Sequence, residues 1–163
     1  VSRRLAGILL ALVVLAADQG SKYWVLHGAQ LTDGHVLTLL PVLNFVLVWN
    51  HGITFGMFMT HGNAGRIVLA GVALCVVAAL LAWLWRAERW LTTLAIGAIA
   101  GGAVGNVADR LQYGAVVDFI QAHIGPYSWY VFNVGDSAIV CGVAVLMLES
   151  LLRQPAGGDR KAA

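Results

Sequence analysis

The 163-residue sequence carries little charge. Ten basic and eight acidic side chains make up 11% of it, while 60% is hydrophobic and the mean hydropathy is +0.79. A soluble domain has about 25% charged and about 45–50% apolar residues, so this composition excludes a water-surrounded globule and indicates a membrane protein. Cysteine and proline are scarce too, at two and three. Cys75 and Cys141 lie inside apolar runs, with no C-x-x-C pair and no Cys/His cluster. That excludes a disulfide framework and a structural zinc site, and both cysteines read as small buried hydrophobes. A net charge of +2, scattered along the chain, leaves no basic patch for nucleic acid. The length suits one compact unit.

What remains is organised as four apolar runs, over about residues 5–26, 64–85, 90–110 and 132–152. Each is near the roughly 20 residues that an α-helix needs to cross a bilayer. The first follows Arg3 and Arg4 and passes Ala16-Ala17, as a cleavable leader does. Its length, and its resumption at Tyr23-Trp24-Val25, make it a span instead. Two polar connections separate the runs, at 27–63 and 111–131. In the first, residues 35–49 are rich in β-branched and aromatic side chains and are broken by Pro41, which reads as two short strands. Residues 53–59 (ITFGMFM) suit a short interfacial helix or lip. In the second, residues 115–120 and 127–132 read as strands around a turn at Gly125-Pro126. Residues 153–163 form a polar tail expected to be disordered. The fold class is therefore a mainly α membrane protein: four transmembrane helices, a small extracytoplasmic β-sheet and a short interfacial helix, in a single domain.

Lys and Arg set the orientation. Arg3, Arg4, Arg86, Arg89, Arg153, Arg160 and Lys161 fall on one side, and Lys22, Arg66 and Arg110 on the other. Both termini and the tight 86–89 loop are thus cytoplasmic, and both long connections face outward. Trp49, Trp129 and Tyr130 at one boundary, and Trp85 and Trp90 at the other, fit aromatic belts. Gly97, Gly101 and Gly105 recur every four residues and offer one helix face for close approach. Polar groups at a membrane boundary are costly and so tend to have a task. Here Asp18, Lys22, Asn50, Asn106, Asp109, Arg110, Asp118, Asn133 and Asp136 all reach the same outer depth.

The five histidines all lie in the outer connections, no serine sits on a strand-to-helix elbow, and no H-E-x-x-H or similar ligand spacing occurs. No metal or cofactor is called for. Two carboxylates are the simplest remaining machinery. A close pair cannot both ionise, so they share a proton; one then takes a proton from water while the other donates to a carbonyl oxygen. Asp118, between Val117 and Phe119 on a strand, and Asp136, in the first turn of span four, are the pair expected. Asn133 caps that helix, whose positive end favours ionised Asp136 as base, with Asp118 carrying the proton. Asp18 and Lys22, four apart, suit an ion pair. Asp109 and Arg110 read either as a simple end to span three or, with Asn106, as part of the site. Asn50 reads as a turn or a site residue. Two other function classes stay open on these residues alone: a small proton-coupled transporter, and a membrane assembly factor using the glycine face. Against the first, the acids cluster at one face and no inverted repeat is visible; under the second, the aspartates would be dispensable.

Five motifs stand in order: Asp18-Gln19-x-Ser21-Lys22, Asn50-x-Gly52-x-x-Phe55-Gly56, Gly105-Asn106-x-x-Asp109-Arg110, Val116-Val117-Asp118-Phe119 and Phe132-Asn133-x-x-Asp136-Ser137. With them the chain resembles the lipoprotein signal peptidase (signal peptidase II) family over nearly its whole length. The resemblance implies an aspartic endopeptidase of the bacterial cytoplasmic membrane with Asp118 and Asp136 as dyad. It implies that Asn50, Asn106, Arg110 and Asn133 shape the site or bind substrate backbone, with Asp18, Lys22, Asp109 and Gly105 in support. Its substrates would be prolipoproteins carrying a diacylglyceryl-cysteine, cut just before that cysteine, by a monomer working among membrane lipids. Two departures stand out. Gly135 replaces an expected Ala, which loosens the helix start by at most about 1 kcal/mol, and Ile53 and Thr54 stand where smaller residues are usual.

Overall fold

The computed structural model describes residues 2–32, 34–52 and 63–152. The expected lip at 53–59 with Ile53 and Thr54, and the tail at 153–163, lie outside the described residues.

Four helices carry the fold: α1 (Arg3–Tyr23), α2 (Asn63–Arg86), α3 (Trp90–Tyr113) and α4 (Val134–Leu152). All are long and apolar enough to cross a membrane. The helix α1 runs on into one π-helical turn, Trp24–Gly28, so the first span reaches residue 28. In α3, 67% of the most apolar stretch is buried, against 17%, 17% and 11% in α1, α2 and α4. The helix α3 is therefore the central post, with the other three packed around it. Their outward faces carry exposed Leu9, Leu12, Val13, Ile67, Val72, Val140 and Met147, the surface that hydrocarbon would cover. Cys75 and Cys141 belong to that surface. Both are exposed rather than buried as expected, because on a span an apolar run marks lipid contact as readily as core.

The glycine face works as a groove for α1. A Cβ at Gly97 would strike the Gly7 carbonyl oxygen, one at Gly101 the Ala11 carbonyl oxygen, and one at Gly105 the Asp18 carboxylate. Gly102, on another side of α3, packs in the same way on the Gly135 carbonyl of α4. Backbones this close gain dispersion that lipid cannot replace. The expected loosening at Gly135 is opposed by that packing, and by the Gly135 N–H donating to Asp18 Oδ1 at 2.8 Å.

At one end of the bundle lies an antiparallel sheet in the order β1-β2-β3-β4: β1 (Val36–Leu40), β2 (Leu43–Asn50), β3 (Val116–Ile124) and β4 (Tyr127–Ser128). Pro41 occupies the β1–β2 turn, as expected, since proline donates no ladder bond. The second pair departs from expectation. The strand β3 extends four residues beyond Ile120 and β4 is only two residues long. The chain leaves the ladder at exposed Trp129 and Tyr130, then returns at Phe132. There Phe119 and Ile120 both donate to the Phe132 carbonyl, at 3.0 and 2.7 Å, and Phe132 N–H donates to Ile120 O at 3.0 Å. This stitch holds the start of α4 against the middle of β3. Leu47, Val117 and Phe119 pack on Val25 and Leu31 to form the apolar core beneath the sheet. At the far end of α3, Gly114 takes the left-handed conformation, φ +79°, and its N–H closes on Arg110 O at 3.1 Å. That cap ends α3 and turns the chain directly into β3.

The opposite end of the bundle is held by arginines. Arg3 donates to the Glu88 carbonyl, and Arg4 stacks over Trp85 at 5.4 Å. Arg89 and Thr92 reach Glu149 of α4 at 3.5 and 2.6 Å.

Candidate active site

The sheet end of the bundle gathers every polar side chain that the sequence marked there. The helix α4 begins with reciprocal capping: Asn133 Oδ1 accepts the Asp136 N–H at 2.8 Å, and Asp136 Oδ2 accepts the Asn133 N–H at 3.3 Å. An Asx residue as N-cap with an acid three residues later satisfies two orphan donors at once. It also fixes the Asp136 side chain back over the helix N-terminus. The other oxygen, Oδ1, accepts from Asn106 Nδ2 at 2.8 Å.

Asp118 sits on β3 and is 2% exposed. Its Oδ1 accepts from Asn133 Nδ2 at 2.7 Å and its Oδ2 from Asn50 Nδ2 at 3.0 Å. Asn133 thus touches both aspartates, one through its side-chain amine and one through its carbonyl oxygen and backbone. Asn133 Nδ2 also reaches Asn106 Oδ1 at 3.2 Å, which closes a ring of amides around the two carboxyl groups. Asn50 fills both roles left open for it. Its Oδ1 accepts the Gly52 N–H at 3.1 Å, making a turn, while its amine serves Asp118.

Burial pushes the Asp118 carboxyl up from 3.8 to about 7. The nearby charge of Asp136 adds to the rise, while the hydrogen bonds from Asn50 and Asn133 and the charge of Lys22 oppose it. Asp118 therefore keeps its proton up to about pH 7, the state needed by a hydrogen-bond donor to a carbonyl oxygen. Asp136 stands at the positive end of α4 and accepts from Asn106 Nδ2 and the Asn133 N–H, contacts that stabilise negative charge against the cost of its burial. Such a pair can activate water and protonate a carbonyl in one step. Among the described residues no group of three or more His, Cys, Asp or Glu side chains is placed to hold a metal ion.

The supporting residues divide differently from expectation. Asp109 stands next to Arg110 in the sequence but turns away from it in the fold. Its carboxylate meets Lys22 Nζ at 2.7 Å, Gln19 Nε2 at 2.9 Å and the Val117 N–H at 3.1 Å. Successive helix residues point about 100° apart, so Asp109 follows the glycine face towards α1 while Arg110 faces the β2 end. There Arg110 donates to Gly52 O at 3.0 Å and Asn106 O at 3.2 Å. Asp18 and Lys22 form the expected pair at 2.7 Å, with both side chains buried. Gln19 was not among the expected site residues, yet it bonds Asp18, Asp109 and the Gly105 carbonyl. Its place inside the Asp18-to-Lys22 motif was the available signal. The Glu149 contacts at the opposite end were also unforeseen; a second acid, far along the apolar span that begins near Asp136, was the clue.

Comparison with known proteins gives the family and the fold. Residues 10–152 match the sequence model of the family described as signal peptidase (SPase) II. The chain is 47% identical over 150 residues to a lipoprotein signal peptidase of Methylorubrum extorquens, covering 92% of this chain and 88% of that one. It is 45% identical over 154 residues to one of Rhodopseudomonas palustris, covering 92% and 94%. Its fold is similar to a bacterial membrane enzyme structure solved by the in meso method at 2.3 Å, with TM-score 0.79, 26% identity and coverage of 96% and 93%. A second such structure, at 1.9 Å, gives TM-score 0.77 at 27% identity, covering 91% of this chain and 94% of that one.

Proposed function

Because the chain belongs to the signal peptidase II family, and is thus a bacterial membrane protease acting on prolipoproteins, we propose that Asp118 and Asp136 are its catalytic dyad. Ionised Asp136 takes a proton from water as the water oxygen attacks the scissile carbonyl carbon. Asp118 gives its proton to the carbonyl oxygen, leaving a neutral gem-diol. The proton on Asp136 then passes to the amide nitrogen, the C–N bond breaks, and a diol hydroxyl returns a proton to Asp118. The products are the signal peptide with a free carboxyl group and the mature chain with a free amine, and the dyad ends as it began. The bond cut is the one before a diacylglyceryl-modified cysteine. A signal helix and acyl chains both favour hydrocarbon, so only that bond has to meet the polar cluster at the end of the spans. Asn50, Asn106 and Asn133 hold the two carboxyl groups, and Arg110 holds the Gly52 carbonyl beside them.

The observation that carries this reading is Asn133. One side chain bonds a buried strand aspartate and caps the helix that presents the other. The arginine-rich end of the bundle is cytoplasmic, the sheet and dyad are at the outer face, and residues 1–163 act as one domain. The enzyme works as a monomer. The relatives favour neither a transporter nor an assembly factor. The test is cleavage of a lipid-modified precursor in detergent micelles by wild type, Asp118→Asn and Asp136→Asn. Each substitution lowers kcat by about 10²–10⁴, and full activity in either variant rejects the dyad.

A further inference from the structure

Behind the dyad lies a buried charge cluster that the hydrolytic steps do not use. Lys22 is 2% exposed, and Asp18 and Asp109 are 0% exposed. Lys22 Nζ is 2.7 Å from Asp18 Oδ2, 2.7 Å from Asp109 Oδ2 and 3.1 Å from Asn106 Oδ1. An ammonium has three donors, and all three are used. Replacing such a buried cluster by apolar packing is often neutral or stabilising, so stability alone does not account for it.

Its connections do. Asp18 Oδ1 accepts the backbone N–H of Gly135 at 2.8 Å, and Asp109 Oδ2 accepts that of Val117 at 3.1 Å. Gly135 immediately precedes Asp136, and Val117 immediately precedes Asp118. One ammonium therefore joins two carboxylates, and each grips the chain one residue upstream of a dyad aspartate. The third N–H acts on the amide of Asn106. A lysine cannot accept a hydrogen bond, so Asn106 must turn its oxygen to Lys22 and its Nδ2 to Asp136 Oδ1. The charged groups that face Lys22 are Asp18 on its own helix, Asp109 from α3, Asp118 from β3 and Asp136 from α4.

We propose that Lys22 is a positioning residue of the enzyme: through Asp18 and Asp109 it sets the separation of Asp136 and Asp118, and through Asn106 it aims the donor that Asp136 Oδ1 accepts. This rests on the dyad reading above. It predicts a defect in the chemical step rather than in substrate capture, because Lys22 is sealed from the surface.

The experiment uses the full chain in detergent micelles with a lipidated precursor peptide. It reads kcat and KM from mildly acidic to mildly alkaline pH for wild type, Lys22→Met, Asp109→Asn and, as control, Asp118→Asn. Thermal unfolding of each variant reports its folded fraction. Per folded enzyme, Lys22→Met and Asp109→Asn lose about 10²-fold in kcat, the order of effect of a misplacement near 1 Å, with KM little changed. The alkaline limb of the profile moves to higher pH in Lys22→Met, which loses a cation near Asp118. It moves to lower pH in Asp109→Asn, which loses an anion. Asparagine at 109 still offers an oxygen to the Val117 N–H, so this variant carries the test if Lys22→Met does not fold. Wild-type kcat and unmoved limbs in the folded variants, with Asp118→Asn inactive, overturn the positioning role alone. An active Asp118→Asn overturns the dyad, and this proposal with it.

Discussion

Asp118, the proposed acid, is the residue where burial bears on chemistry. A carboxyl group in a mostly apolar strand loses water, so the charged form becomes costly and its pKa rises to about 7. Two amide donors stop the rise from going further. Activity that needs the Asp118 proton falls as pH increases through about 7, and a pH–rate profile in micelles with no alkaline limb near there removes Asp118 as the acid. The same shift has a stability consequence. The folded carboxyl group binds its proton more tightly than the unfolded one, so folding is favoured below the unfolded value of 3.8 and is penalised progressively up to about 7. Asp118→Asn escapes that penalty. Its stability relative to wild type rises by up to about 4 kcal/mol between acid and alkaline pH, at about 1.36 kcal/mol for each pKa unit. Thermal unfolding of both proteins across that range checks the slope, and a constant difference contradicts it.

At the scale of elements, α3 decides the geometry. Its glycines admit the α1 backbone on one side and the start of α4 on another, so Lys22, Asn106, Asp109 and Asp136 meet only because three helices approach closely. An added methyl group at Gly97 or Gly101 meets carbonyl oxygen rather than a movable side chain. Gly97→Ala and Gly101→Ala are expected to destabilise by about 1–3 kcal/mol. A methyl group added at Gly71 in α2 would have nothing within 4 Å. There Gly71→Ala removes only the entropic cost of glycine in a helix, and stabilises by about 0.5–1 kcal/mol. Unfolding temperatures of the three variants in one detergent separate a packing groove from mere helix propensity; equal shifts reject the groove. The stitch at Phe132 is the matching device on the sheet side, tying α4 to β3 through backbone alone.

The whole molecule is polar at both ends, for different reasons. At the sheet end, buried carboxylates, amides and one ammonium satisfy one another inside the protein. At the other end, Arg3, Arg4 and Arg86 are exposed and suit an anionic surface. The proposed orientation rests on that asymmetry and is open to labelling. In a background lacking Cys75 and Cys141, Ala87→Cys reacts with an impermeant thiol reagent only from the cytoplasmic side, and Tyr127→Cys only from the outer side. The reverse pattern inverts the topology.

The sequence by itself determined the four spans, the two strands around Pro41, the glycine face and the gathering of polar residues at one depth. These are local properties: hydropathy over a bilayer's thickness, β-branched content and helical periodicity are each carried by contiguous residues. Its family motifs also marked Asp118 and Asp136. Tertiary structure alone decided which neighbour each polar group serves. Asp109 and Arg110 are adjacent in sequence yet point to different elements, because a helix turns about 100° between them. Cys75 and Cys141 face outward, because apolarity cannot distinguish lipid contact from core. The length of β4 was set by where Phe132 rejoins β3, a pairing between distant residues with no local signature. The same is true of the ammonium of Lys22, which reaches both arms of the proposed dyad only after α1 has settled into the groove of α3.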